Sequence, residues 1–134
     1  MTIKEKLRKL NELFSLFEDR KDQFIQLMDM AKESGVLSEN EKIDKNKIYG
    51  CTSQAWVISI KNSNNTYSFK TDSDSMIVKG LLTLLENIFN NQTAKEICSY
   101  DSQTILTNIG LDDAISSQRT NGFSNAIEKI QKII

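Results

Sequence analysis

The segment from Met76 to Phe89, MIVKGLLTLLENIF, carries more apolar surface than one contact can cover. On a helix, Ile77, Leu81, Leu84, Leu85 and Ile88 line one face, and Met76, Val78, Leu82 and Phe89 widen it. A surface helix needs only a single apolar stripe, so this helix is expected to be buried on much of its circumference. Any fold open to the chain must therefore wrap other elements around it. The preceding DSDS supplies several N-cap candidates. Gly80, in the middle, costs roughly 1 kcal/mol against alanine. A glycine there predicts the close approach of another backbone, and the sheet is the expected neighbour.

The remaining periodicities say what does the wrapping. Ile3, Leu7, Leu10, Phe14 and Phe17 form one helical stripe, and a charged break, EDRKD, follows. Phe24, Leu27, Met28 and Ala31 repeat the pattern, with Gly35 as a plausible stop. Two helices packed as a hairpin are expected. Periodicity fades through VLSENEKIDKNKIYG, which reads as a solvated loop. AWVISIK then alternates, with Trp56, Ile58 and Ile60 on one side and Val57 and Ser59 on the other. NSNN is turn chemistry, because asparagine tolerates positive φ. TYSFKT alternates again, so the two runs form a β-hairpin. Thr93 to Glu96, TAKE, is a capping box that opens a short helix. Another helix runs from about Asp101 to Gly110, and a last one carries Phe123, Ile127, Ile130 and Ile134 on one stripe. The fold class is α+β: a small antiparallel sheet packed against helices. Residues 1–134 show no repeat or linker and are expected to form a single domain.

Net charge is −1 and nothing resembles a nucleic-acid footprint. The first ten residues are charged and lack the apolar core of a signal peptide. No apolar run approaches membrane-spanning length. A cytoplasmic protein with reduced thiols is the expected setting. The chain has no histidine and two cysteines, Cys51 and Cys98, far apart in sequence. That rules out Cys–His nucleophilic hydrolysis and a histidine general base. It also leaves no zinc-type ligand cluster.

Cys51 lies in GCTSQAWV, between a glycine and a polar run, where a cysteine wanted only for packing does not belong. Three blocks now form a pattern. Gly50, Cys51, Thr52, Ser53, Gln54, Ala55 and Trp56 match Gly-Cys-x-Ser-Gln-x-Trp. Ser73, Asp74, Ser75, Met76, Ile77, Val78, Lys79, Gly80 and Leu81 match Ser-Asp-x-x-Ile-Val-Lys-Gly-Leu. Arg119, Thr120, Asn121 and Gly122 match Arg-x-Asn-Gly. In this order they resemble the SufE family, the sulfur acceptors of iron–sulfur cluster assembly, whose fold is similar in outline to the IscU-like scaffolds. Two departures stand out. Ser116, Ser117, Gln118 and Arg119 occupy the place of Ser-Pro-Ser-Arg, which leaves Ser116 as a cap but puts the rigidity of that corner in question. Ala114 stands where relatives often carry histidine.

The resemblance implies that Cys51 takes sulfane sulfur from the persulfide of a SufS-like cysteine desulfurase, stimulates that enzyme, and hands the sulfur to a SufBCD-like Fe–S scaffold complex. Chemically this is thiol–disulfide exchange and needs no metal or histidine. Cleaving the C–S bond of free cysteine needs an electron sink such as pyridoxal phosphate, which belongs to the partner; this chain is expected to carry no cofactor and no metal. Alternatives are a CsdE-type paralogue serving another desulfurase and an Fe–S scaffold, which would need more ligands than two distant cysteines provide.

Around Cys51, Gly50 allows a sharp turn and a close backbone approach. Trp56 is expected in the core, shaping the cysteine loop and, with the apolar hairpin, supplying a dry pocket. Ser53 and Gln54 are expected to hold the loop by hydrogen bonds. Asp74 reads as a helix N-terminal charge that can also order the loop or meet the partner. Arg119 is expected to be held by a carboxylate or carbonyl, with an electrostatic role toward the loop as the other reading. Lys79 reads as a polar-face residue or a contact near the loop, and Cys98 as core. The loop is expected to tuck inward at rest and swing out on the desulfurase.

Overall fold

The computed structural model describes residues 1–134, with α1 (Ile3–Ser15), α2 (Arg20–Glu33), β1 (Ala55–Lys61), β2 (Thr66–Ser73), α3 (Met76–Phe89), β3 (Gln92–Thr93), α4 (Ala94–Cys98), α5 (Ser102–Ile109) and α6 (Ser117–Ile133) in chain order. The apolar helix α3 is central. Every residue from Lys79 to Leu85 is buried, as are Ile88 and Phe89. Helices α1, α2 and α6 and strand β2 all pack on it, which is how its wide apolar surface leaves water. Ser75 caps the helix by accepting from the Val78 N–H at 3.4 Å.

The close approach at Gly80 is present, but the neighbour is a helix and not the sheet. A methyl on Gly80 would overlap the Leu27 carbonyl oxygen of α2 and lie 2.8 Å from its carbon. Glycine reports that some backbone comes near; only the packing decides which. The N-terminal helices likewise do not pair as a hairpin. α1 packs on α5 and α3, and α2 packs chiefly on α3. Each apolar stripe meets a broader apolar partner than the other could offer. Helix α2 stops at Glu33 with Ser34 extended, so Gly35 follows the stop instead of making it.

The three strands lie in the order β1-β2-β3, all antiparallel. The hairpin turn falls on the expected asparagines, with Asn65 at φ +63° and the Asn62 N–H bonded to the Thr66 carbonyl at 2.8 Å. Strand β3 was not legible, since two residues carry no periodicity. Asn90 and Asn91 recruit it: the Asn90 side-chain oxygen accepts from the Phe69 N–H, and the Asn91 N–H, at φ +64°, donates to the Tyr67 carbonyl, each at 2.7 Å.

The alternation in β1 is as expected, but the faces are the reverse of the reading. Ala55 and Val57, with Phe69 of β2, join the core. Trp56 points to the opposite face, beside its cross-strand partner Asp72. It is still buried, because the segment before β1 folds over it. Lys42 Nζ sits 5.5 Å from the Trp56 ring and 3.4 Å from the Asp72 carboxylate, which also accepts from the Leu37 N–H at 3.1 Å. The charge run is therefore partly a cover for the indole, not only a solvated loop.

Lys79 is buried, against the expectation of a polar-face residue. Its ammonium donates to the Thr71 carbonyl. Glu86 stands 3.9 Å from it and accepts from Thr71 Oγ1 and Ser34 Oγ at 3.0 and 3.1 Å. Burial pushes Lys79 below its ordinary value and Glu86 above its own, each opposed by the attraction of the other. The network ties α3 to β2 and to the end of α2.

The capping box at Thr93 opens α4, Asp101 caps α5, and Gly110, at φ +90°, ends it. Ser116 caps α6. Cys98 is exposed and not core; on this one-turn helix Ile97 is the fully buried neighbour, and adjacent helical positions face different ways. No helix is long and apolar enough to cross a membrane.

Candidate functional site

Residues 49–54 form a loop closed at its neck. There the Ile48 N–H donates to the Ala55 carbonyl at 2.8 Å, and Lys47 bridges to Trp56. Ile48 is fully buried and anchors the approach. Gly50 turns the chain at φ +87°, a left-handed conformation that costs other residues strain. The close neighbour at Gly50 is a side chain, not the backbone expected there: a methyl on it would overlap the Asn125 amide of α6.

At the far end, Asp74 clips the loop to the head of α3. Its carboxylate accepts from the Gln54 N–H at 3.1 Å, and its own N–H donates to the Gln54 carbonyl at 3.2 Å. Ser73 Oγ donates to the same carbonyl at 2.7 Å. Ordering the loop is thus the role that Asp74 has, while Ser75 next to it is the cap. Gln54 holds the loop, but by its backbone; neither its side chain nor that of Ser53 contributes a bond. The residue type mattered less than the two backbone groups it brings to Asp74.

Cys51 is half-buried and points inward. Its thiol faces the Gly122 carbonyl, with Sγ 3.7 Å from the oxygen it donates to. A methyl on Gly122 would come within 3.2 Å of the sulfur. Beside the thiol lies a cavity of about 20 Å³ walled by Val78, Leu81 and Leu82 of α3 and by Phe123 and Arg119 of α6. This has room for about one water-sized group. The walls are mostly apolar, and burial pushes the Cys51 thiol above its ordinary value. The dry pocket expected from Trp56 and the hairpin is therefore built by α3 and α6 instead, because Trp56 lies on the other face of β1. On the loop's own concave side, an open space of about 260 Å³ runs from Lys47 to Gln54.

Arg119 lines the cavity without the expected carboxylate or carbonyl. Its guanidinium carbon lies 5.8 Å from the Phe24 ring centre, so an aromatic face of α2 holds it. The corner before it, where the proline is missing, is organised by Ser116, which accepts from the Arg119 N–H at 3.3 Å and, through its carbonyl, from Thr120 Oγ1 at 3.0 Å. The structure thus brings together Gly50, Cys51, Gln54, Asp74 and Arg119, and sets Trp56 apart. The apolar cavity walls Val78, Leu81, Leu82 and Phe123, together with Phe24 and Asn125, were not among the expected site residues. Gly122 closes the Arg-x-Asn-Gly block, and Asn125 lies three residues on, on the same helical face; that spacing was the available signal.

The raised thiol has a direct consequence. In the native protein, iodoacetamide alkylation of Cys51, followed by peptide mass spectrometry to separate it from Cys98, should set in at higher pH than in the urea-unfolded chain. Coincident profiles would show that the cavity does not hold the thiol.

Comparison with known proteins bears on the family and the fold. Residues 8–134 match the family model described as SufE, Fe-S metabolism associated domain. The chain is 31% identical over 122 residues to an uncharacterized SufE-like protein of Rhizobium etli, covering 89% of this chain and 82% of that one. It is 31% identical over 127 residues to SufE-like protein 1, chloroplastic/mitochondrial, of Arabidopsis thaliana, covering 95% of this chain but 34% of that longer protein. The solution structure of a hypothetical protein from Thermus thermophilus superposes with a TM-score of 0.76 over 96% of this chain and 92% of that one; at 15% identity it speaks for the fold alone. The chain belongs to the SufE family, and its role lies in the sulfur transfer of Fe–S metabolism.

Proposed function

We propose that Cys51 is the sulfur acceptor of this chain, loaded by a SufS-like cysteine desulfurase that it stimulates, and unloaded onto a SufBCD-like Fe–S scaffold complex. In the loading step the Cys51 thiolate attacks the terminal sulfur of the desulfurase persulfide. A new S–S bond forms, the donor's S–S bond breaks, and the donor cysteine leaves as thiolate. No electrons are gained or lost overall, and no water or metal takes part. The pyridoxal chemistry that first releases sulfur from cysteine stays with the desulfurase.

The observation that carries this reading is the inward thiol beside a cavity with room for about one more small group. A persulfide is lost to ambient thiols unless sheltered, and mostly apolar walls exclude them. Arg119, at the cavity's edge, supplies a positive charge for the anionic persulfide. Clipped at Gln54 and turned at Gly50, the loop can swing out as one piece to meet the donor. A CsdE-type paralogue uses the same chemistry with a different desulfurase, so turnover measured with each candidate enzyme separates the two. A cytoplasmic setting, where thiols stay reduced, suits either.

Intact mass spectrometry after incubation with desulfurase and cysteine tests the proposal. An added 32 Da, about the mass of one sulfur atom, should appear and map to Cys51. An adduct on Cys98 alone, or none, refutes it.

A further inference from the structure

Helix α6 presents Gly122 and Asn125, one turn apart, to two consecutive residues of the loop. Gly122 lies under the Cys51 sulfur, and the Asn125 amide lies against the Gly50 α-carbon. The Asn125 side chain makes no hydrogen bond within the protein, so its contact with Gly50 is one of shape. Gly50 is also the only residue between Ile48 and Gln54 with positive φ, which makes it the point about which the loop can pivot. The Asp74 clip holds the loop's far end, but nothing in the polypeptide hydrogen-bonds the backbone of Tyr49 to Ser53. Packing against α6 is what keeps this half of the loop in.

We propose that Asn125 is a positioning residue for the sulfur-carrying loop: by packing against Gly50 it seats the turn and keeps the Cys51 thiol turned toward Gly122. This deepens the reading of Cys51 as acceptor and rests on it, yet it is tested on the free protein without a desulfurase. Its failure would therefore leave the sulfur-transfer reading standing. Shortening the side chain to alanine opens the space above Gly50 and releases the thiol to solvent more often. Extending the loop also moves Cys51 relative to the charged groups around it, Arg119 on α6, Lys47 in the approach and Asp74 at the head of α3.

The measurement is the pH profile of Cys51 alkylation by iodoacetamide, read by peptide mass spectrometry, with thermal melting as a control. Asn125→Ala should react several-fold faster at neutral pH with its profile moved to lower pH, while melting stays close to that of the unsubstituted chain. Asn125→Leu, which restores a branched group of similar size, should return both readouts toward the starting values. An alanine variant with unchanged rate and profile, or a leucine variant as fast as the alanine one, overturns the proposal. A readout free of substitution guards against misfolding: alkylating Cys51 should shift the NMR resonances of the Asn125 side-chain amide, and unmoved resonances would overturn it equally.

Discussion

Cys51→Ser should abolish both the persulfide adduct and the stimulation of desulfurase turnover, while leaving the fold in place. A serine hydroxyl neither attacks sulfane sulfur at neutral pH nor holds it, so the loss is complete and not graded. The substitution is small and polar in a half-buried position, and its structural cost should stay within about 1 kcal/mol. Turnover of the desulfurase with cysteine, with and without each variant, reads the result. Stimulation that survives Cys51→Ser would remove sulfur acceptance as the basis of the activity and leave only allosteric contact. Cys98→Ser, exposed and distant in sequence, should behave as the unsubstituted chain.

The largest effect on stability is expected at Gly80. Alanine there gains about 1 kcal/mol in helix propensity at an exposed site. At this site its methyl would overlap the Leu27 carbonyl. A backbone carbonyl inside α2 cannot rotate away, so α2 and α3 must separate along the helix pair that builds the centre of the molecule. Overpacking of this kind costs about 1–3 kcal/mol, sometimes more, and separating two helices puts this case at the upper end. A net loss of about 2 kcal/mol lowers Tm by roughly 5–10 °C in a chain of this size. Gly35→Ala is the control, because a methyl there meets nothing. A Gly80→Ala protein as stable as the parent would mean that α2 and α3 are not packed as described.

Gly80 also shows where reading a sequence stops. A glycine inside the apolar run signalled a close backbone, correctly; it carried no information on whether a strand or a helix came near. The same holds for Trp56. Alternation in β1 separated Trp56 from Val57, but an isolated strand has two equivalent faces, and the larger residue looked like the core one. The core went to Val57 because Phe69 and α3 lie on that side, and the indole was buried by a lysine-bearing segment that had no periodicity to read. Cys98 failed for a related reason: a five-residue helix is too short to show a stripe, so its buried side could not be told from its exposed one. Asp74 and Arg119 were marked by their motif blocks, and the structure sets them at the end of the loop and at the cavity, but their partners were not legible. Asp74 meets Gln54, 20 positions away in sequence, and Arg119 meets Phe24, 95 positions away.

Local chemistry along the chain determined most helices and their caps, the asparagine turn and the α+β class, because propensity, capping and periodicity act over a few residues. It also limited the chemistry, since a chain without histidine offers no imidazole to act as a base or to activate a thiol. The cavity, the seat on α6, the third strand and the burial of Lys79 were decided only when α3, β2 and α6 came together. Those features depend on which surfaces meet across long sequence separations, and the free energy of that meeting belongs to the packed pair and not to either segment.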